Sequence, residues 1–230
     1  MKYYARKDYF LINRRERWGL SVYGWIFLLV IAASAMYGGF RRLFPTLAPV
    51  HREQTGILVL EGWVSDYLFK EVIREFNAGH YTLLITTGTP LENGDFLAAY
   101  HNTAVIAGRS LIKLGFDSTK LVMVATDEFR NERTYNSAIR LKQWLRANHP
   151  EIRAINVMTM GVHGARSQLL FQKALGDSVR VGIISVPNSY YGPETWWKTS
   201  KGFRETLNEA IGYFYVTFFF RPYEKELATK

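Results

Sequence analysis

From Gly56 onward the chain repeats one pattern: a short, unbroken apolar run, then a longer segment whose apolar residues recur every three or four positions. The runs are ILVLEGW over 57–63, YTLLITTG over 81–88, LVMVAT over 121–126, AINVMTM over 154–160 and VRVGIISV over 179–186. The intervening periodicity predicts helices over 65–78, 95–114, 134–148 and 164–175. For the first helix, Ser65 reads as the N-cap, Val64 and Phe69 as a hydrophobic staple, and Gly79 as the stop. Runs that are apolar throughout belong to strands buried on both faces, and strands alternating with helices make a parallel sheet. The expected fold class is therefore α/β. After the fifth run comes a long aromatic C-terminal region. Its segment 211–220, IGYFYVTFFF, is too short to span a bilayer and reads as a buried closing helix, with contact with the membrane surface as the alternative.

The N-terminal pattern is different. WGLSVYGWIFLLVIAASAMYGGF, over 18–40, carries no charge for 23 residues, and about 20 apolar residues suffice to cross a bilayer. Trp18, Tyr23, Trp25, Tyr37 and Phe40 place aromatics near both ends, where headgroup interfaces favour them. Ala33-Ser34-Ala35 fits a signal-peptidase site, yet the long charged lead and the continuation to Phe40 favour an uncleaved anchor. The expected organisation is a basic cytoplasmic tail over 1–17, a spanning helix over 18–40, a Pro-containing tether over 41–55 and an α/β domain over 56–230.

Charge sharpens this division. The net charge is +9, but residues 1–52 hold nine Lys/Arg against Asp8 and Glu16, leaving only +2 for the rest. The basic excess flanks the span, which is the pattern of a membrane protein and not of a nucleic-acid-binding face. Six basic residues precede the span (Lys2, Arg6, Lys7, Arg14, Arg15, Arg17) and three follow it (Arg41, Arg42, Arg52). That bias puts the N-terminus in the cytoplasm and the domain outside. The chain has no cysteine, which excludes disulfides, thiol catalysis and iron–sulfur clusters.

In open parallel sheets, ligands bind beyond the carboxyl ends of the strands. The residues there form one candidate constellation. The first run ends in Glu61, Gly62 and Trp63, and the second in Thr87 and Gly88. The third leads into TDEFRNERTYNSA, with Asp127, Glu128, Arg130, Glu132 and Arg133 ahead of a helix that opens with Thr134 and Asn136. The fourth leads into GVHGARS, with His163 and Arg166 between glycines. Helix N-termini hold anions, and a guanidinium adds a planar fork for phosphate or carboxylate. His163 reads as a general acid or base, oriented by Asp127 or Glu61. The C-terminal region carries Trp196, Trp197, Ser200, Arg204 and Glu209, for which capping of the core is the default reading. No P-loop, G-x-G-x-x-G, H-E-x-x-H or G-x-S-x-G occurs, so neither a cofactor nor a metal is expected.

ILVLEGWVSD, ITTGTP, RTYNSA and GVHGARSQLLFQKAL, in this order and followed by WWKTSKGFRETLNEAIGYFY, resemble the YdcF-like/SanA family over about 56–215. The resemblance implies a three-layer α/β/α domain with a mostly parallel, Rossmann-like sheet and a pocket at its carboxyl edge. It implies site residues Gly62, Gly88, Arg133, Thr134, Asn136, His163 and Arg166. It also implies anchoring in the bacterial inner membrane and a role in envelope integrity, alongside possible envelope-assembly partners. The expected function is that of an extracytoplasmic hydrolase or transferase on an anionic, lipid-linked sugar pyrophosphate or similar intermediate. The alternatives are a non-enzymatic binding or scaffold module and an adenosyl-ligand binder.

Overall fold

A computed structural model describes residues 12–14, 18–127 and 132–222. The chain divides into two compact units, Met1–Leu43 and Phe44–Lys230. In the first, β1 (Ile12–Arg14) pairs antiparallel with β2 (Trp18–Leu20), and α1 (Val22–Leu47) follows. The uncharged stretch thus begins as a strand, and its helix starts at Val22. With 26 residues, α1 is long and apolar enough to cross a membrane, and almost none of its apolar window is buried. The basic residues at positions 2, 6, 7, 15 and 17 lie outside the described residues.

In the second unit, one mixed sheet has the order β3-β8-β7-β4-β5-β6. Its parallel strands are β4 (Ile57–Glu61), β5 (Leu83–Gly88), β6 (Leu121–Ala125), β7 (Ala154–Met160) and β8 (Arg180–Val186). The helices are α2 (Tyr67–Ala78), α3 (Thr103–Lys113), α4 (Arg133–Asn148), α5 (Gly164–Leu175) and α6 (Ser200–Phe218). The chain moves outward from β4 through β5 to β6, then returns to the other side of β4 with β7 and β8. This is the doubly wound order, and the reversal between β4 and β7 opens a crevice above their carboxyl ends.

Both faces of the sheet are buried because successive strand residues feed different clusters. Ile57, Val59, Val157 and Ile183 pack with Tyr135 and Leu141 of α4, Leu170 and Phe171 of α5, and Val216 of α6. Leu58, Leu60, Met158 and Ile184 pack with Leu68, Val72 and Phe76 of α2 and Leu111 of α3. That is why the runs read as continuous rather than alternating.

Several expectations change. The helix predicted over 95–114 begins only at Thr103. Asn102 caps it, its side chain accepting from Ala104 N at 2.9 Å, and Pro90 bridges to Asn102, which holds 91–102 out of the helix apart from one turn at Asp95–Leu97. The first helix begins at Tyr67, not Ser65, whose hydroxyl lies 3.7 Å from the Met160 sulfur instead of capping. The segment read as a tether belongs to the domain. Phe44 and Leu47 are buried, and β3 (Val50–His51) pairs antiparallel with β8, supplying partners for that strand's edge. The closing helix is not buried as expected: Val216 and Phe220 face the core, whereas Ile211, Phe214, Tyr215, Phe218 and Phe219 are exposed.

The segment beyond β3 is held by a side chain. Asn156 on β7 reaches across Gly182 of β8, where a Cβ would sit 2.0 Å from its oxygen. It accepts from Glu53 N at 2.8 Å and donates to Glu53 O at 2.9 Å and Tyr81 Oη at 3.0 Å. An Asn156→Ala change leaves the Glu53 N–H and carbonyl without these partners at the sheet edge. It should lower stability by about 1–3 kcal/mol and speed amide exchange at Glu53, both measurable by urea unfolding and hydrogen–deuterium exchange.

Candidate functional site

The crevice at the strand reversal is a cleft of about 640 Å³. Glu61, the last residue of β4, and His163, at the end of the short turn after β7, stand on opposite sides of the reversal. The run before Glu61 is fully buried, so its carboxylate is carried into the interior, 3% exposed. Ser167 of α5 donates to its Oε2 at 2.6 Å, and its Oε1 faces His163 Nε2 at 3.9 Å.

His163 is held from the other side by a residue 46 positions away. Its Nδ1 lies 3.0 Å from Glu209 Oε1 on α6. Arg166, one turn into α5, grips the same carboxylate through Nε to Oε2 at 2.7 Å and Nη2 to Oε1 at 3.0 Å. Arg166 Nη2 is also 3.0 Å from His163 Nδ1. A guanidinium only donates and a carboxylate only accepts, so Nδ1 cannot serve both as donor to Glu209 and as acceptor from Arg166. The bond to the charged carboxylate is the stronger, which assigns the proton to Nδ1 and the lone pair to Nε2. Nε2 is buried and has no hydrogen-bond partner. Trp63 packs edge-on against the imidazole, with ring centroids 4.6 Å apart.

Two glycines allow this closeness. At Gly164 a Cβ would lie 1.9 Å from Ser185 Oγ, and at Gly212 it would lie 3.0 Å from Arg166 Cδ. Side chains there would push α5 off β8 and α6 off Arg166. Burial opposes charge on Glu209, but hydrogen bonds from His163 and Arg166 outweigh it and hold the carboxyl down at about 2. Burial likewise opposes charge on Arg166, while Glu209, and more weakly Glu61 and Glu132, raise its pKa above the ordinary value.

The far wall comes from β5, α3 and α4. Thr103 Oγ1 accepts from Thr89 N at 3.1 Å, and Thr87, Gly88, Thr134 and Ser137 add small groups to the lining. Glu132 precedes α4 with φ 63° and ψ 49°, and its own side chain makes no capping bond to that helix start. Arg133 pairs with Glu92 at 3.2 Å, both side chains being more than half exposed.

Of the residues expected from sequence, Glu61, Trp63, Thr87, Gly88, Arg133, Thr134, His163 and Arg166 line the cleft together. Gly62 does not line it. Its N–H bonds Thr87 O at 2.7 Å, and a Cβ would meet Thr103 O at 2.5 Å, so its part is close packing. Asn136 is buried in α4 away from the lining. Asp127 is exposed and outside the lining, so the carboxylates at His163 are Glu209 and Glu61. Glu128 and Arg130 lie outside the described residues. Arg166 is not a free anion clamp, because Glu209 occupies it. The start of α5 is also less open than expected: the 3-10 turn Gly161–His163 runs into it, and Gly164 N is already bonded to Gly161 O.

Glu209 is the main residue that sequence reasoning passed over. Its spacing to Gly212, Val216 and Phe220 puts it on the inward stripe of α6, a signal available in the sequence. Thr89, Glu92, Thr103, Glu132 and Ser137 also line the cleft. The lining sums to four carboxylates against two guanidiniums, a formal −2 with the imidazole neutral. Among the described residues, no group of three or more His, Asp or Glu side chains converges as a metal-ligand set.

Lowering the Glu209 carboxyl from 4.5 to about 2 corresponds to stabilisation on the order of 3 kcal/mol at neutral pH. Its folded value lies below its unfolded value, so this contribution is complete above pH 4.5 and lost as pH falls towards 2. The stability difference between wild type and Glu209→Gln should therefore shrink by more than half between roughly pH 6 and pH 3, as read by urea unfolding at the two values. The chain matches no protein-family model, no curated protein and no solved structure.

Proposed function

We propose that this protein is a membrane-anchored enzyme that performs acid–base chemistry at His163 on a phosphorylated ligand. The observation that carries the reading is the His163 imidazole, held through Nδ1 by a carboxylate that is itself locked by Arg166, with Nε2 unpartnered in the wall of the cleft. A base needs one nitrogen fixed and the other available, and a second group to stabilise the imidazolium once it forms. Glu209 meets that requirement, and Glu61 Oε1 faces Nε2 at 3.9 Å from the other side.

Anion binding falls to Arg133 and the start of α4. Arg133 is already paired, but with Glu92 across an exposed gap, and pairs of that kind contribute only about 0–1 kcal/mol. A phosphate oxygen can replace Glu92 at small cost, and the positive end of the α4 dipole adds to the attraction. The chemistry we assign is attack on phosphorus by water or an acceptor hydroxyl. Nε2 takes the nucleophile's proton, the bridging P–O bond breaks, and the proton passes to the leaving oxygen. Threonine and serine hydroxyls along the lining suit the sugar hydroxyls of a lipid-linked sugar pyrophosphate.

The wider setting is part of the same proposal. Helices on both faces of the sheet make a three-layer α/β/α domain, and the span with its six-to-three basic bias puts that domain outside the inner membrane. The resemblance to the YdcF-like/SanA family agrees with a role in envelope biogenesis. One observation favours a second reading, a binding module without turnover: Nε2 is shielded from solvent, and Trp63 stands against the ring.

The full chain in detergent, given a sugar pyrophosphate on a short polyprenyl chain, should release sugar phosphate and leave the polyprenyl monophosphate. His163→Ala should lower kcat by roughly 10²–10⁴ with ligand still bound. Arg133→Ala should raise KM and leave kcat nearly unchanged. Binding without turnover in the wild type, equal in His163→Ala, would establish the binding module instead.

A further inference from the structure

The carboxyl edge of the sheet presents more apolar surface to solvent than a cleft rim requires. On α6, Ile211, Phe214, Tyr215 and Phe218 are 68%, 55%, 46% and 68% exposed. Their spacing of three, four and seven residues makes one helix face, turned away from the inward residues Gly212, Val216 and Phe220. Phe219 extends it, and Phe214 rests on Phe218 with ring centroids 4.8 Å apart. An aromatic helix face of this kind, left open on a soluble monomer, marks a contact surface. A second projection is the turn Asp95–Leu97, where Phe96 and Leu97 are essentially fully exposed.

Both projections border the cleft. Glu209 of α6 and Glu92 of the loop line it, and Phe220, just past α6, packs against Tyr135 in the first turn of α4. The chain also enters the domain at this edge. Phe44 meets the Tyr191 ring, Leu47 O lies 3.5 Å from the Cβ position of Gly164, and Pro49 O accepts from Ser185 N near the carboxyl end of β8. Only Arg41, Arg42 and Leu43 separate the uncharged stretch from Phe44. Three residues reach at most about 10–14 Å, less than the width of the domain.

We infer that the carboxyl edge docks on the lipid bilayer, with the aromatic face of α6 and the Phe96–Leu97 tip seated at the boundary between headgroups and acyl chains. The short connection keeps this edge at the membrane. Aromatic rings are the side chains best suited to the interfacial depth, and exposed Arg221 just past the helix suits anionic headgroups. The cleft then opens towards substrates confined to the bilayer. The inference rests on the reading of the uncharged stretch as a membrane span and not on the chemistry at His163.

The absence of cysteine makes the test direct. Single variants Phe96→Cys, Phe214→Cys and Phe218→Cys, with Arg146→Cys on the far end of α4 as control, are labelled with a polarity-sensitive dye. The full chain is placed at one copy per nanodisc of phosphatidylethanolamine and phosphatidylglycerol. Labels at 96, 214 and 218 should shift to the blue and be quenched by nitroxide lipid but not by aqueous iodide, and the label at 146 should behave the opposite way. Adding His163→Ala should leave these patterns unchanged, so docking and cleft chemistry are judged separately. Iodide quenching at 214 and 218 as strong as at 146 would overturn the inference, as would failure of the chain to enter discs. Protection seen only in discs holding two copies would replace the bilayer with a second copy of the chain.

Discussion

A carboxylate buried in a protein must be compensated, and the way Glu209 is compensated organises the whole site. Its two oxygens take three contacts, from His163 and from two nitrogens of Arg166. Each does more than neutralise charge. The Arg166 fork ties α6 to α5. The His163 contact fixes the imidazole tautomer and turns the other ring nitrogen towards Glu61. Removing one member would leave a charge unpaired in a low-dielectric wall, which is far costlier than losing an exposed pair such as Arg133 with Glu92.

That division between a locked and an exchangeable guanidinium decides what the cleft can do. A cleft with four carboxylates would repel a phosphate if all of them faced it equally. Glu209 is neutralised by Arg166, and Glu61 is hydrogen-bonded to Ser167 at the opposite wall, which leaves Arg133, paired with Glu92 and next to Glu132, as the guanidinium of the α4 side. The imidazole and Arg133 therefore stand on different walls of the crevice.

The packing around the crevice follows from close approach. Gly62 and Gly88 let α3 lie against the ends of β4 and β5, and Gly164 lets α5 start directly on β8. Because these glycines have no side chain, the backbones can approach this closely. Glu132 is different. It is the one residue other than glycine with positive φ among those described, and it sits on the cleft wall immediately before the helix start that would receive the anion. Strain placed at such a position is a mark of sites that bind ligands.

Much of this was legible along the chain. The apolar runs that became β7 and the periodic segment that became α5 ended where their glycines and chain polarity said they would, because continuous apolar runs and glycine breaks are local signals. The strand-end rule then brought Glu61, Trp63, Thr87, Gly88, Arg133, Thr134, His163 and Arg166 to one cleft. The sequence also marked, by charge and hydropathy alone, a segment able to cross a membrane. The start of α3 was hidden because a single asparagine cap overrides helical periodicity, and β3 because two residues carry no period. Only the tertiary structure decided that Glu209 rather than Asp127 lies against His163, that Arg166 is held by Glu209 while Arg133 pairs with exposed Glu92, and that the aromatic face of α6 is left uncovered. Each of these depends on which distant side chain arrives beside another: the inward stripe of α6 marks Glu209 as facing the core, but not which residue 46 positions away it meets.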